Sequence, residues 1–262
     1  MRSSALILAV GFTALARPAS AGETACWFEN GVVVVAAEVA GVAGDYILDT
    51  GAPQTLLALT QAQGAGYAEP ALTGDVVLAG RRTAGLSLAA RGIDVRSGLF
   101  PTPIAGVIGA DALKPYVVDL SFAPCRVALY DPARAPAFGP ATVLPLHWIA
   151  GRPTAEATAS DGPHLASGDF ALATGSDTAV RLSEALARVR GAGKPRELYP
   201  YGLLRPRLRA LSLGGQIAEQ LPAGLIKPDD PGLAGEIGAP VLYAWRLRFD
   251  FPARRLLLAP KK

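Results

Sequence analysis

Gly44-Asp45-Tyr46-Ile47-Leu48-Asp49-Thr50-Gly51-Ala52 returns, without a gap, as Gly168-Asp169-Phe170-Ala171-Leu172-Ala173-Thr174-Gly175-Ser176. A second pair follows in the same order: Ala105-Gly106-Val107-Ile108-Gly109-Ala110 and Ala234-Gly235-Glu236-Ile237-Gly238-Ala239. Further on, Ser121-Phe122 stands against Asp250-Phe251, and Arg126-Val127-Ala128-Leu129 against Arg255-Leu256-Leu257-Leu258. Ordered self-similarity of this kind marks a duplicated unit. Each half carries a loop motif and, later, a glycine motif.

The residues around these motifs read alike in both halves. Val32 to Val39 is apolar and β-branched, a strand, and Gly41 to Gly44 supplies a turn. Tyr46 to Leu48 is a short strand feeding the Asp49 loop, and Thr55 to Gln63 reads as a short helix stopped by Gly64. In the second half Thr154 to Ala159 is a strand, Ser160 to Gly162 a turn, and Phe170 to Leu172 the strand into the Ala173 loop. Leu182, Leu186 and Val189 recur at helical spacing up to Arg190, with Gly191 as the stop. Hairpins are predicted over Asp75 to Leu88, turning at Ala79-Gly80, and over Arg209 to Leu221, turning at Gly214-Gly215. Closing strands with a Pro-containing bend are predicted over Val117 to Tyr130 and Leu247 to Leu258. Neither half alternates long strands with long helices, so mainly β structure is expected.

A chain of 262 residues, half of them apolar, suits one large domain or two lobes of roughly 100 residues or more, each able to bury a core. Residues 1–21 read as a signal peptide: Arg2, an apolar run from Ala5 to Ala16, and Ala19-Ser20-Ala21 as the cleavage site. No later run is apolar for long enough to span a bilayer, so the expected mature protein is exported, periplasmic or secreted, and has no transmembrane segment. Residues 22–180 hold 8 basic and 15 acidic residues, whereas 181–262 hold 15 and 7. Two solvated faces, or halves attracting each other, explain the asymmetry, and no nucleic-acid motif accompanies it. The Pro- and Ala-rich stretch 132–146 reads as a linker between lobes 22–131 and 147–262. Cys26 and Cys125 are an even pair, suggesting one disulfide in an oxidising compartment; two buried thiols are the alternative. His147 and His164 stand alone, which argues against a zinc site or a Ser-His hydrolase. No metal or cofactor is implied.

An apolar strand into Asp49-Thr50-Gly51-Ala52, followed later by Val107-Ile108-Gly109, resembles the retropepsin-like aspartic proteases, and the likeness covers both halves. It implies a two-lobed acid-protease barrel fold with short helices, the lobes paired within one chain. An extended peptide or unfolded protein segment would lie across their junction. By the same resemblance Thr50 and Thr174 tie the loops together, while Gly51 and Gly175 keep them tight. Gly109 and Gly238 let a strand pass behind them, and Val107 and Glu236 line the pocket.

The family's mechanism uses two carboxylates that share a proton, one acting as general base on water while the other polarises the amide carbonyl. Asp49 is the first; the second position is the degenerate Ala173. The activity implied is that of an aspartic-type endopeptidase, and three readings address the gap. The chain is a pseudo-protease that binds peptides; or Glu236 supplies the second carboxylate; or two chains pair their Asp49 residues. The alternative for Glu236 is solvent, or an arginine such as Arg246 or Arg248. Asp45 and Asp169 fit turn or strand-entry roles, Asp111 a helix cap, and Asp177 a helix N-terminus. Trp27, Trp148 and Trp245 are expected in the core or the lobe interface. Tyr67, Tyr199 and Tyr201 are placed on flap-like segments by position alone.

Overall fold

The computed structural model describes residues 22–93, 100–160, 165–183, 207–226 and 231–261. The expected signal peptide, the Ser160–Gly162 turn beyond its first residue, the helical pattern beyond Ser183, and His164, Tyr199 and Tyr201 lie outside these residues.

The structure is mainly β, with few and short helices. In the first half, β1 (Gly22–Glu29), β2 (Val32–Val39), β3 (Val42–Leu48), β4 (Leu56–Ala58), β5 (Ala71–Leu78), β6 (Arg81–Arg91) and β7 (Ile104–Ile108) are followed by β8 (Val117–Phe122) and β9 (Cys125–Tyr130). The second half runs β10 (Thr142–Pro145), β11 (His147–Ile149), β12 (Arg152–Ser160), β13 (Leu165–Ala173), β14 (Val180–Ser183), β15 (Arg207–Leu213), β16 (Gln216–Ile226), β17 (Leu233–Gly238), β18 (Trp245–Asp250) and β19 (Arg255–Pro260). Strands β2-β3-β7-β4-β6-β5 close on themselves through a β2–β5 pairing, and β12-β13-β17-β14-β16-β15 close through β12–β15. Two six-stranded barrels result, one per sequence repeat, and closure removes the exposed sheet edges.

A third sheet joins them, in the order β10-β19-β18-β8-β9-β1. Strand β1 belongs to two sheets: Gly22 to Ala25 pair with β9, and Cys26 to Glu29 pair with β2. The Cys26–Cys125 disulfide sits at that switch point. The chain repeats the manoeuvre in the second half, where Thr142 to Pro145 pair with β19 and His147 to Ile149 pair with β12. The end of the 132–146 stretch is therefore a sheet strand. Its mostly exposed residues gave no periodicity to read. Arg248 of β18 opposes Asp119 of β8 and binds it with two hydrogen bonds of 2.5 and 2.8 Å. The same guanidinium donates to the Pro136 carbonyl at 2.6 Å and lies over the Phe138 ring, fastening the connecting segment to the sheet.

The halves exchange aromatic contacts in matched fashion. Tyr243, from the second half, stacks on Phe28 at 4.9 Å, and Phe28 meets Phe122 edge-on at 5.3 Å. Trp148 meets Phe251 at 5.7 Å, and Lys114, from the first half, stands over the Trp148 ring at 5.0 Å. Trp245 is buried as expected, but Trp27 is 49% exposed. Cys26 must point inward to reach Cys125, and alternation then turns its neighbour out.

The predicted hairpins turn at Ala79-Gly80 and Gly214-Gly215. The predicted Thr55–Gln63 helix is a strand, β4, followed by a helix at Leu59–Gly64. Leu56 and Leu57 are needed as strand partners of β7, and that tertiary pairing overrides local helical spacing.

Candidate active site

Both loop motifs lie where the two barrels meet. Asp49 leaves the end of β3, and its backbone N–H donates to the Ile108 carbonyl at 2.9 Å. Strand β7 runs parallel to β3, with Ile47 opposite Val107 and Leu48 opposite Ile108. The second half repeats this, with Ala171 opposite Glu236 and Ala173 opposite Gly238. After each glycine motif the chain crosses the loop closely: Ala110 N–H donates to the Ala52 carbonyl, and Ala239 N–H to the Ser176 carbonyl. A Cβ at Gly109 would stand 2.7 Å from the Gln54 carbonyl carbon, and one at Gly238 only 2.0 Å from the Thr178 oxygen. Glycine is required at both crossings because backbone occupies the space.

The two threonines tie the loops across the interface. The Thr50 hydroxyl donates to the Leu172 carbonyl at 2.5 Å, and the Thr174 hydroxyl to the Leu48 carbonyl at 2.6 Å. In return, Thr50 N–H donates to the Thr174 hydroxyl at 3.0 Å, and Thr174 N–H to that of Thr50 at 3.4 Å. Both residues are essentially inaccessible to solvent. Val33 N–H adds a bond to the Thr174 carbonyl at 3.1 Å. The turns preceding β2 and β12 embrace the opposite loop: Gly31 lies against Asp177, and Gly151 against Pro53.

Within this frame the Asp49 carboxylate accepts the Gly51 N–H at 2.9 Å. It rests on Gly175, where a Cβ would come within 2.6 Å of Asp49 Cγ and 2.7 Å of Oδ2. The mirror contact is between Ala173 and Gly51: a Cβ on Gly51 would stand 2.6 Å from the Ala173 methyl. Residue 173 therefore points into the site as Asp49 does, but carries no oxygen. The Ser176 hydroxyl, beside it in the same loop, is buried without a hydrogen-bond partner. Lobe one has Ala52 at that place.

Glu236 is buried, and its carboxylate meets Arg181 at 3.4 Å and Arg152 at 3.6 Å. The sequence left solvent, or an arginine such as Arg246 or Arg248, as the alternative for this residue. Those two stand over Phe138, Arg248 engaged with Asp119 and Arg246 donating to the Phe138 carbonyl. Arg152 stands where the first barrel has Val32, because Thr154 opposes Ala171 as Val34 opposes Ile47.

The remaining acids differ from expectation in detail. Asp111 lies inside the first turn of the helix Ala110–Leu113, and its carboxylate accepts both the Thr55 N–H and hydroxyl, at 2.9 and 2.7 Å. Asp177 opens no helix; it faces Arg181 at 3.6 Å. Asp45 accepts the Thr102 hydroxyl, and Asp169 contacts His147 and Thr154. Tyr67 donates to the Ala40 carbonyl, at the end of β2 remote from Val33 and the loops, roughly 20 Å along the strand. Its bond to that turn explains its place, and the flap expectation fails for it. Among the described residues no group of three or more His, Cys, Asp or Glu is arranged to hold a metal. No helix among them is long and apolar enough to cross a membrane.

No protein-family model matches the chain, and no curated protein matches it. Among solved structures it is similar to the aspartic proteinase from Irpex lacteus, with a TM-score of 0.58 and 16% identity over 93% of this chain and 98% of that one. At that identity the likeness is one of fold: two lobes, each a closed barrel, arranged as in an aspartic proteinase.

Proposed function

We propose that this chain is an exported peptide-binding protein on an aspartic-proteinase scaffold, taking an extended peptide or unfolded segment between its barrels. The observation that carries the reading is the pairing of Ala173 with Gly51, opposite Asp49 with Gly175. The loops are fully assembled, but one of the two carboxylates needed to activate water and polarise an amide is missing. Glu236, the other candidate for a second carboxylate, is taken up by ion pairs with Arg152 and Arg181. Export is supported by the Ala19-Ser20-Ala21 pattern and by the disulfide, which belongs to oxidising compartments.

The second reading is an active aspartic-type endopeptidase. Asp49 favours it, keeping its bond from Gly51 and its place at the loop junction. Its second carboxylate would come from Glu236 or from Asp49 of another copy.

The test is to offer the purified protein an unfolded substrate between about pH 3 and pH 7, where carboxylates titrate, alongside Asp49→Asn. Peptide binding without cleavage is expected. Cleavage by the wild type that is lost in Asp49→Asn would establish the endopeptidase reading instead.

A further inference from the structure

The two barrels present different chemistry on the same sheet face. In an aligned ladder, directly opposed residues point to the same side, and alternate residues along a strand do so too. Ile47 therefore shares the face of Asp49, and so does Val107 opposite it. They belong to an apolar cluster with Val32, Val34 and Ile104. The equivalent five positions of the second barrel are Arg152, Thr154, Ala171, Leu233 and Glu236, sharing the face of residue 173. Arg181 opposes Glu236 from β14 and completes the charged group.

The fold does not demand these charges, because the first barrel builds the same positions from aliphatic side chains. Buried ion clusters seldom add stability over well-packed apolar residues, so their presence calls for another account. Two guanidinium groups meet one buried carboxylate, and Arg181 also faces Asp177. Their contacts, at 3.4 and 3.6 Å, are looser than the roughly 2.7–2.9 Å of a strong charge-assisted bond. The Arg181 side chain is 35% exposed, and its remaining acidic contact is the 48% exposed Asp177 at 3.6 Å. An incoming carboxylate can displace so exposed a partner.

Resting on the peptide-binding reading above, we infer that Arg181 and Arg152 form a carboxylate-recognising subsite on the second barrel. Glu236 holds both guanidinium groups in place. An apolar side chain of the bound peptide lies toward the first barrel, and a carboxylate nearby along the peptide reaches Arg181.

The test uses acetylated, amidated ten-residue peptides of Ala and Ser with one Leu, and with Glu, Gln or Lys at each of the three positions on either side of it. Binding to the full chain is read by fluorescence anisotropy. A further Gln peptide with a free C-terminus separates a terminal carboxylate from a side-chain one. At the best position Glu is expected to bind about tenfold or more tighter than Gln, with Lys weakest, as a charged hydrogen bond implies. Arg181→Gln should erase that preference while retaining binding of the Gln peptide. The combined variant Arg152→Val, Arg181→Leu, Glu236→Val, which copies the first barrel's apolar chemistry, should prefer a second Leu over Glu. Equal binding of Glu and Gln peptides by the wild type would overturn the subsite, as would a preference that survives in both variants. Failure of the wild type to bind any of the peptides, Lys ones included, would instead count against the peptide-binding reading.

Discussion

The carboxylate of Asp49 rests on the Cα of Gly175, across the junction of the two barrels, so closely that a Cβ there would lie 2.4 Å from Asp49 Cβ. Ala173 makes the reciprocal approach to Gly51 at 2.6 Å. The carboxylate-bearing direction of residue 173 is thus preserved although the carboxylate is not.

Restoring it should restore chemistry. Ala173→Asp places a second carboxylate beside the first, and the partnerless Ser176 hydroxyl becomes available as a hydrogen-bond donor to it. Cleavage of an unfolded protein at acid pH should rise by about 10²-fold or more over the parent, in the range that a positioned acid or base contributes. Measuring peptide release for Ala173→Asp, and for the same protein carrying Asp49→Asn, checks this; the second should be inactive.

Gly175→Ala should be severely destabilising. Its methyl meets Asp49, which is fixed by the Gly51 bond, and the threonine ties leave little room for the loops to part. A loss of about 1–3 kcal/mol or more is expected from overpacking. Gly64→Ala is the control, since a Cβ there meets nothing within 4 Å. Urea unfolding should show a lowered midpoint for the first variant alone.

Thr50→Val keeps the shape of the side chain and removes its hydroxyl. Leu172 then loses its buried donor, and the Thr174 N–H loses an acceptor. The expected cost is about 2–4 kcal/mol, from two buried groups each left unsatisfied at about 1–3 kcal/mol with partial relaxation. Thermal unfolding of Thr50→Val and Thr174→Val should give similar losses, because the two hydroxyls play reciprocal parts.

Asp119→Asn breaks the pair that bridges the halves of the central sheet. Arg248 has only 8% of its side chain exposed and would be left without its counter-ion. Truncating one partner of a buried pair costs about 3–5 kcal/mol, with the lower end expected here because Asp119 retains some solvent contact. Denaturant unfolding of the variant reads the loss directly.

Replacing Cys26 and Cys125 together by Ala releases a crosslink between residues 99 apart in sequence. The chain-entropy model gives about 4.7 kcal/mol for a loop near that length. A matching drop is expected in the urea midpoint of the oxidised parent on adding reductant, and no effect of reductant on the double variant, which has no cysteine left.

Much of this was legible in the sequence because duplicated motifs are local. Asp49-Thr50-Gly51 and Ala173-Thr174-Gly175 announce two matched loops, and the resemblance to the retropepsin-like proteases implied close crossings at Gly109 and Gly238. The strand patterns, the two hairpin turns and the two-lobed β class follow from periodicity and turn chemistry within a few residues. A disulfide was suggested by there being only two cysteines in a chain that reads as exported, and the structure decided it against two buried thiols. The aliphatic-to-charged exchange of Val107 for Glu236 was visible as well, as a departure from the repeat.

What the tertiary structure alone decided concerns partners far apart in sequence. Glu236 meets Arg152 and Arg181, not Arg246 or Arg248, because strand register and the β14–β17 pairing choose neighbours, and register is a property of the closed barrel. The shared sheet that carries Gly22 to Ala25 and Thr142 to Pro145 was invisible because exposed residues leave no pattern. Trp27 faces solvent because its neighbour Cys26 must face Cys125, a constraint set by β9 and not by tryptophan's own hydrophobicity. Local chemistry fixed the loops and their glycines; packing between the two barrels determined which charges meet, where the methyl of Ala173 points, and what lies beside Asp49.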